Sequence, residues 1–268
     1  MSDLTLNKVA ELAIETGRIV LESGGETHRV EVMMHNVCAG FGYETNESYV
    51  TLTGIFLTIK SDSGEIVTVI KRVETRSVDL NKISTINKLT QDLMKSNCKG
   101  KNDPKCQPMS YDEFNRRLNV IQTKKQYPGW VKYICGGVTP GFFCLLFGGA
   151  WLEFYIAFIM GVVVTIILRY LGKLHLNAFL LNAVGAALIV WIAKMAGLYI
   201  GYMHTDKIII GGIMLLVPGL SITNAIRDTM AGDLVAGTAR TVEAFFISAA
   251  IATGAGSMLK LWSLLVAR

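Results

Sequence analysis

Charge is scarce in this sequence, at 18% of 268 residues. It is scarcest after residue 128, where only 5 of the 21 Asp and Glu remain. With 51% hydrophobic residues and a mean hydropathy of +0.41, that scarcity excludes a single soluble domain. Cysteines are few and odd in number, five in all, and irregularly spaced, which argues against a disulfide framework. Gly24-Gly25 is followed by neither a lysine–serine pair nor a G-x-G-x-x-G pattern, so it is no phosphate loop, and no nucleotide motif supports a primary pump. Residues 1–20 carry Asp3, Glu11 and Glu15 and hold no uninterrupted apolar core, so no signal peptide is expected.

What is present divides in two. Residues 1–127 read as a soluble α+β domain and residues 128–268 as a helical membrane domain. Of the 26 Lys and Arg, 17 precede residue 129 and balance 16 acidic groups there. The net charge of +5 lies mostly in the apolar half and reads as membrane-flanking lysines and arginines, not as a nucleic-acid surface.

In the soluble half, Leu6, Val9, Leu12, Ala13, Ile14, Ile19, Val20 and Leu21 recur at helical spacing, and Gly24-Gly25 supplies a stop. A second helix runs from Glu26 to Ala39 with Val30, Met33, Met34 and Val37 inward. The period then changes. Tyr49 to Lys60 and Ile66 to Val73 are rich in Val, Ile and Thr, and the intervening Asp62-Ser63-Gly64-Glu65 predicts a hairpin. A third short strand is expected to end near Val78. Asp79 caps a helix to about Met94, and Ser110 caps another from Tyr111 to Lys125. His28 and His35, and Cys98 and Cys106, lack the further ligands a metal site needs; surface or packing roles are expected, with no metal and no cofactor.

About five spans are expected in the second half: Val131 to Gly149, interrupted by Gly136-Gly137 and Pro140-Gly141; Trp151 to Tyr170; Leu176 to Tyr199; Lys207 to about Ile222; and about Thr238 to Val266. Small residues at Ser248 to Ala250 and Thr253 to Ser257 suit close helix packing. The turn with Arg169 and Lys173 is basic, so the positive-inside rule places it, and the soluble half with it, in the cytoplasm.

One stretch departs from this pattern. Val217 to Glu243 lies between apolar runs yet carries Asn224, Arg227, Asp228, Asp233, Arg240 and Glu243. Charges near membrane depth are costly and are usually paired or line a path. Pro218, Gly219 and Gly237 are candidate helix breaks, of the kind that expose backbone groups in transporters. On a helix, Asn224 and Asp228 share a face, and Arg240 and Glu243 are one turn apart. The arginines suit a carboxylate, and the acids suit proton coupling or pairing with the arginines, Arg240 with Asp233 or Glu243 among them. Gly232-Asp233 follows Ala231 and so lacks the GxGD pattern of intramembrane aspartyl proteases; no catalytic residue is expected.

LESGGETHRVE (21–31), TGIFLTI (53–59) and VPGLSITNAIRDTMAGDLVAGTARTVEA (217–244) together resemble the threonine/serine exporter (ThrE) family. The family pattern is matched at Pro218, Gly219, Asn224, Asp228, Gly232, Asp233, Gly237 and Arg240. With no second membrane unit before Arg268, the chain is similar to the larger component of the split members, such as the bacterial succinate-export pair. The resemblance implies a multi-pass exporter of a small amino acid or dicarboxylate in the cell (inner) membrane, dependent on a small polytopic partner. It leaves homo-oligomerisation open. The rival reading is a regulatory or channel-like membrane protein with a ligand-sensing cytoplasmic domain.

Overall fold

The computed structural model describes residues 6–74, 77–96, 108–124, 127–174 and 176–266. Cys98 and Cys106, the end of the helix expected to reach Lys125, and Arg268 lie outside them. By packing the chain forms two compact units, Met1–Gln126 with Ile222–Thr241, and Tyr127–Ser221 with Val242–Arg268.

The first unit begins with α1 (Leu6–Glu22) and α2 (Thr27–Gly40). All eight apolar positions expected on α1, and the four on α2, are buried. Three strands follow, β1 (Asn46–Thr51), β2 (Gly54–Lys60) and β3 (Ile66–Arg72), paired antiparallel in the order β1-β2-β3. The run expected as one strand from Tyr49 is therefore two. Leu52-Thr53 form a two-residue hairpin loop, with Thr51 opposite Gly54 and the Thr51 hydroxyl donating to the Gly54 carbonyl at 3.1 Å. Among the described residues no strand forms near Val78. There the N–H groups of Ser77 and Asp79 donate instead to the carbonyls of Glu22 and Ser23 at the end of α1 (2.7 and 3.0 Å).

Val50, Ile55, Leu57 and Ile59 face inward from the sheet. They meet α1, α2, α3 (Leu80–Ser96) and α4 (Tyr111–Thr123) in one core, where Phe114 packs edge-on against Phe41. Each fully buried large side chain contributes about 1.5–3 kcal/mol. Both expected caps are made: the Asp79 carboxylate accepts the Lys82 N–H (3.1 Å) and the Ser110 hydroxyl that of Glu113 (3.2 Å).

The second unit holds α5 (Gly129–Leu146), α6 (Trp151–Gly172), α7 (Ala178–Ile200), α8 (Thr205–Ile213), the first turn of α9 (Gly219–Met230) and most of α10 (Leu234–Val266). Among the described residues three helices, α6, α7 and α10, are long and apolar enough to cross a membrane. The expected fourth span is not continuous: α8 has nine residues, about 14 Å, against a hydrocarbon core of about 30 Å. The chain breaks between Ile213 and Gly219, as Pro218-Gly219 suggested.

Glycines set the spacing of this unit. Those of α5, and Pro140, do not interrupt the helix; they let α6 approach. A Cβ on Gly161 would collide with the Gly136 carbonyl and the Pro140 ring, and one on Gly137 would lie 2.7 Å from the Phe158 carbonyl oxygen. Gly254 meets the Ala183 backbone in the same way, so the small-residue run of α10 packs on α7 within the chain. Replacing Gly161 with alanine should therefore destabilise the detergent-solubilised protein by about 1–3 kcal/mol in thermal unfolding, the usual cost of overpacking. Gly172→Ala, with open space around the new methyl, should change it by less than about 0.5 kcal/mol.

Candidate functional site

Two helix ends of the same design build the site. α1 stops with Gly24 at φ +89°, where the N–H groups of Gly25 and Gly24 donate back to Val20 and Leu21 (both 3.0 Å). α9 stops with Gly232 at φ +95°, and the N–H groups of Asp233 and Gly232 reach Asp228 and Thr229 (2.9 and 3.1 Å). In both, glycine takes the left-handed position that lets orphan carbonyls be satisfied. The second turn reverses the chain and places the end of α9 beside the start of α10. The approach is close: a Cβ on Gly237 would strike Thr229 and sit 3.1 Å from the Ala225 carbonyl oxygen. Gly237 is thus a packing position, and α10 runs through it; the break expected there lies at Ala231–Asp233.

The two ends meet within the first unit. Asn224 donates to the Gly24 carbonyl (3.0 Å). Asp228, 1% exposed, accepts the Arg240 Nε–H at 2.8 Å. Arg240 also donates to the Gly25 carbonyl from Nη2 (2.7 Å). Asp228 further accepts the N–H of Thr27 at 3.2 Å. Thr27 is the first residue of α2, and Glu26 at the N-cap gives that helix no side-chain bond. Asp228 therefore supplies from another helix the anion that the helix N-terminus lacks. The Thr27 hydroxyl lies 2.9 Å from Asp228 Oδ1 and 2.7 Å from Asp233 Oδ2. Arg227 forms an outer ion pair with Glu26 at 2.6 Å, its side chain 56% exposed.

Five of the expected residues are thus brought together: Asn224, Arg227, Asp228, Asp233 and Arg240. Arg240 takes Asp228, not Asp233, as its carboxylate, because the reversal at Gly232 sets the end of α9 against α10. Pro218, Gly219 and Glu243 belong to the second unit. Sequence reasoning missed Thr27, the carbonyls of Gly24 and Gly25, and Glu31. The last lies one turn beyond Thr27 on α2 and accepts the Val50 N–H (3.2 Å). Burial, then the charge of Asp233 and, less, that of Asp228, hold the Glu31 carboxyl above the ordinary range. The stretch 21–31 already carried the signal, but Gly24-Gly25 had no reading beyond a helix stop.

A further buried acid escaped notice in the second unit. Glu153, 3% exposed, accepts the N–H of Ala150, the N–H of His204 (2.9 Å) and contacts His204 Nδ1 (3.0 Å). One carboxylate thereby serves the N-terminal ends of α6 and α8.

Removing Arg240 leaves Asp228 buried without its cation, so Arg240→Ala should cost about 3–5 kcal/mol in denaturant unfolding. Arg227→Ala should cost less than about 1 kcal/mol, since its pair is largely solvated. For Glu31 the sign runs the other way from a salt-bridged acid. A raised carboxyl binds its proton more tightly folded than unfolded, so its contribution is full at low pH and is lost as pH rises through the folded value. Glu31→Gln should thus raise the melting temperature at neutral pH, and the gain should vanish in acid.

The "Putative threonine/serine exporter" (ThrE) family model matches residues 11–262. A "Probable threonine/serine exporter" of Mycobacterium tuberculosis is 23% identical over 95% of this chain but only 46% of its own length. The "Threonine/serine exporter" of Corynebacterium glutamicum is 27% identical over 96% of this chain and 52% of its own. The chain thus spans about half the length of these two. The "Probable succinate transporter subunit YjjP" of Escherichia coli is 25% identical over 96% of this chain and 95% of its own length. No solved structure matches. A match over most of the sequence, together with apolar helices long enough for a bilayer, makes this chain a membrane protein of the threonine/serine exporter family.

Proposed function

We propose that this protein is one component of a secondary transporter that exports a small amino acid of the threonine/serine kind, or a dicarboxylate, across the cell (inner) membrane. A smaller polytopic membrane partner completes it. The relation of lengths carries this reading: the chain matches about half of two exporters and nearly the whole of a protein named as a transporter subunit. The N-terminal residues lie on the cytoplasmic side, supported by the basic turn with Arg169 and Lys173. Helix α5, with Lys132 and Pro140 in an otherwise apolar sequence, is embedded beside the three longer helices.

The polar stretch supplies the transport chemistry. Arg227 is the better placed of the two arginines to meet a substrate carboxylate, because Arg240 is enclosed by Asp228 and Gly25. Asp228 holds Arg240, and Asp233 and Glu243 are the acids assigned to coupling. Asp233→Ala should abolish export from loaded vesicles while membrane insertion is intact; unchanged efflux would sink the assignment. The same vesicles with and without the partner separate an exporter from a channel or sensor, since only an exporter gives saturable, gradient-driven flux.

A further inference from the structure

The Thr27 hydroxyl has one hydrogen and faces two carboxylates. Its oxygen is 2.9 Å from Asp228 Oδ1 and 2.7 Å from Asp233 Oδ2. A hydroxyl donates once and accepts twice, and an ionised carboxylate only accepts. With both acids ionised, one of these contacts has no hydrogen in it. Both are hydrogen bonds when one carboxyl brings a hydrogen of its own. Asp228 is already served by Arg240 and by the Thr27 N–H. Among the described residues, the polar side-chain contact of Asp233 is the Thr27 hydroxyl.

We propose that Asp233, Thr27 and Asp228 bind one proton as a unit, Asp233 Oδ2–H donating to Thr27 Oγ1 and the Thr27 hydrogen passing on to Asp228 Oδ1. Binding forms one O–H bond with a proton taken from water, and release returns that proton to water; no other covalent bond changes. Charged and titratable groups from four pieces of chain surround the unit. From α2 come His28 and Glu31, from the α1–α2 loop Glu26, from α9 Arg227 and from α10 Arg240. Arg227 is engaged by Glu26, and Arg240, the buried cation, by Asp228. The carboxyl groups of Asp228 and Asp233 both lie close enough to act on Glu31. The proton also has a mechanical effect. While it is bound, the Thr27 hydroxyl is held by both carboxylates; on its release it can donate to only one, with the Thr27 N–H on Asp228 in either case. A part for this proton in export rests on the transport reading above, whereas proton binding itself does not.

The test uses the full-length protein in vesicles, with isotope-labelled aspartate, followed by infrared difference spectroscopy as pH is raised. The wild type should show a protonated aspartate carboxyl that disappears with rising pH. Asp233→Asn should lack it, Thr27→Val should lose it, and Thr27→Ser should keep it. The label separates this signal from any contribution of Glu31. No such signal in the wild type, or an equal one in Asp233→Asn, overturns the proposal. Should Thr27→Val fail to fold, the wild type, Thr27→Ser and Asp233→Asn still decide.

Export in the same vesicles keeps the two readings apart. Thr27→Val should export about tenfold more slowly, as befits a lost buried hydrogen bond to a charged group, and with a flattened pH profile; Thr27→Ser should restore both. The aspartate signal with normal export in Asp233→Asn supports the proton site and overturns the transport reading. Export lost in Asp233→Asn with no aspartate signal in the wild type overturns the proton site alone.

Discussion

The first unit depends on one buried ion pair. Arg240 and Asp228 have almost no exposed side-chain surface, with 7% and 0% remaining. Charges so enclosed are tolerable when they are paired and further hydrogen-bonded. Asp228 meets that condition by turning one oxygen to the arginine and the other to the start of α2; Arg240 does so by reaching past Asp228 to the Gly25 carbonyl. The pair therefore ties three pieces of chain, two from the C-terminal part of the sequence and one from near its beginning. A hydrophobic pair of similar volume could fill the space, but could not satisfy the backbone groups exposed by a glycine-capped helix end.

Helix association in the second unit rests on different physics. Between apolar helices in lipid there is little hydrophobic gain, so contact must come from close packing. Gly136, Gly137, Gly161 and Gly254 allow that by leaving room for a neighbouring backbone. Glu153 adds the polar element. In a low-dielectric setting an uncapped helix start is expensive, and this one side chain answers for two of them.

Local features were legible in the sequence, and distant ones were not. The caps at Asp79 and Ser110, the buried face of α1 and the turn between β2 and β3 all depend on residues a few positions apart, where periodicity and side-chain chemistry are sufficient. Leu52-Thr53 shows the limit of even that reading: a tight hairpin lay inside a continuous β-rich run with only the following glycine to mark it. Asn224 and Asp228 were rightly placed on one helical face. What that face meets was hidden, since Thr27 and Asp228 are 201 positions apart. Nor could spacing alone assign Arg240 its partner, because that choice depends on the reversal at Gly232. Gly237 misled for a related reason. Glycine inside a helix reads as a weakness until a neighbouring helix is seen to need the room.

The contact of Gly161 with Gly136 also governs motion. Helices that touch through side chains can creep past each other by rotamer changes. Here the atoms that Gly161 faces are a main-chain carbonyl and a proline ring, neither of which has a rotamer to yield. Sliding α6 along α5 would carry a residue with a side chain into a space that admits only hydrogen. The two helices are therefore pinned at that crossing, as two beams are at a rivet. Shear at that crossing carries a steric cost that turning about it or travelling together does not.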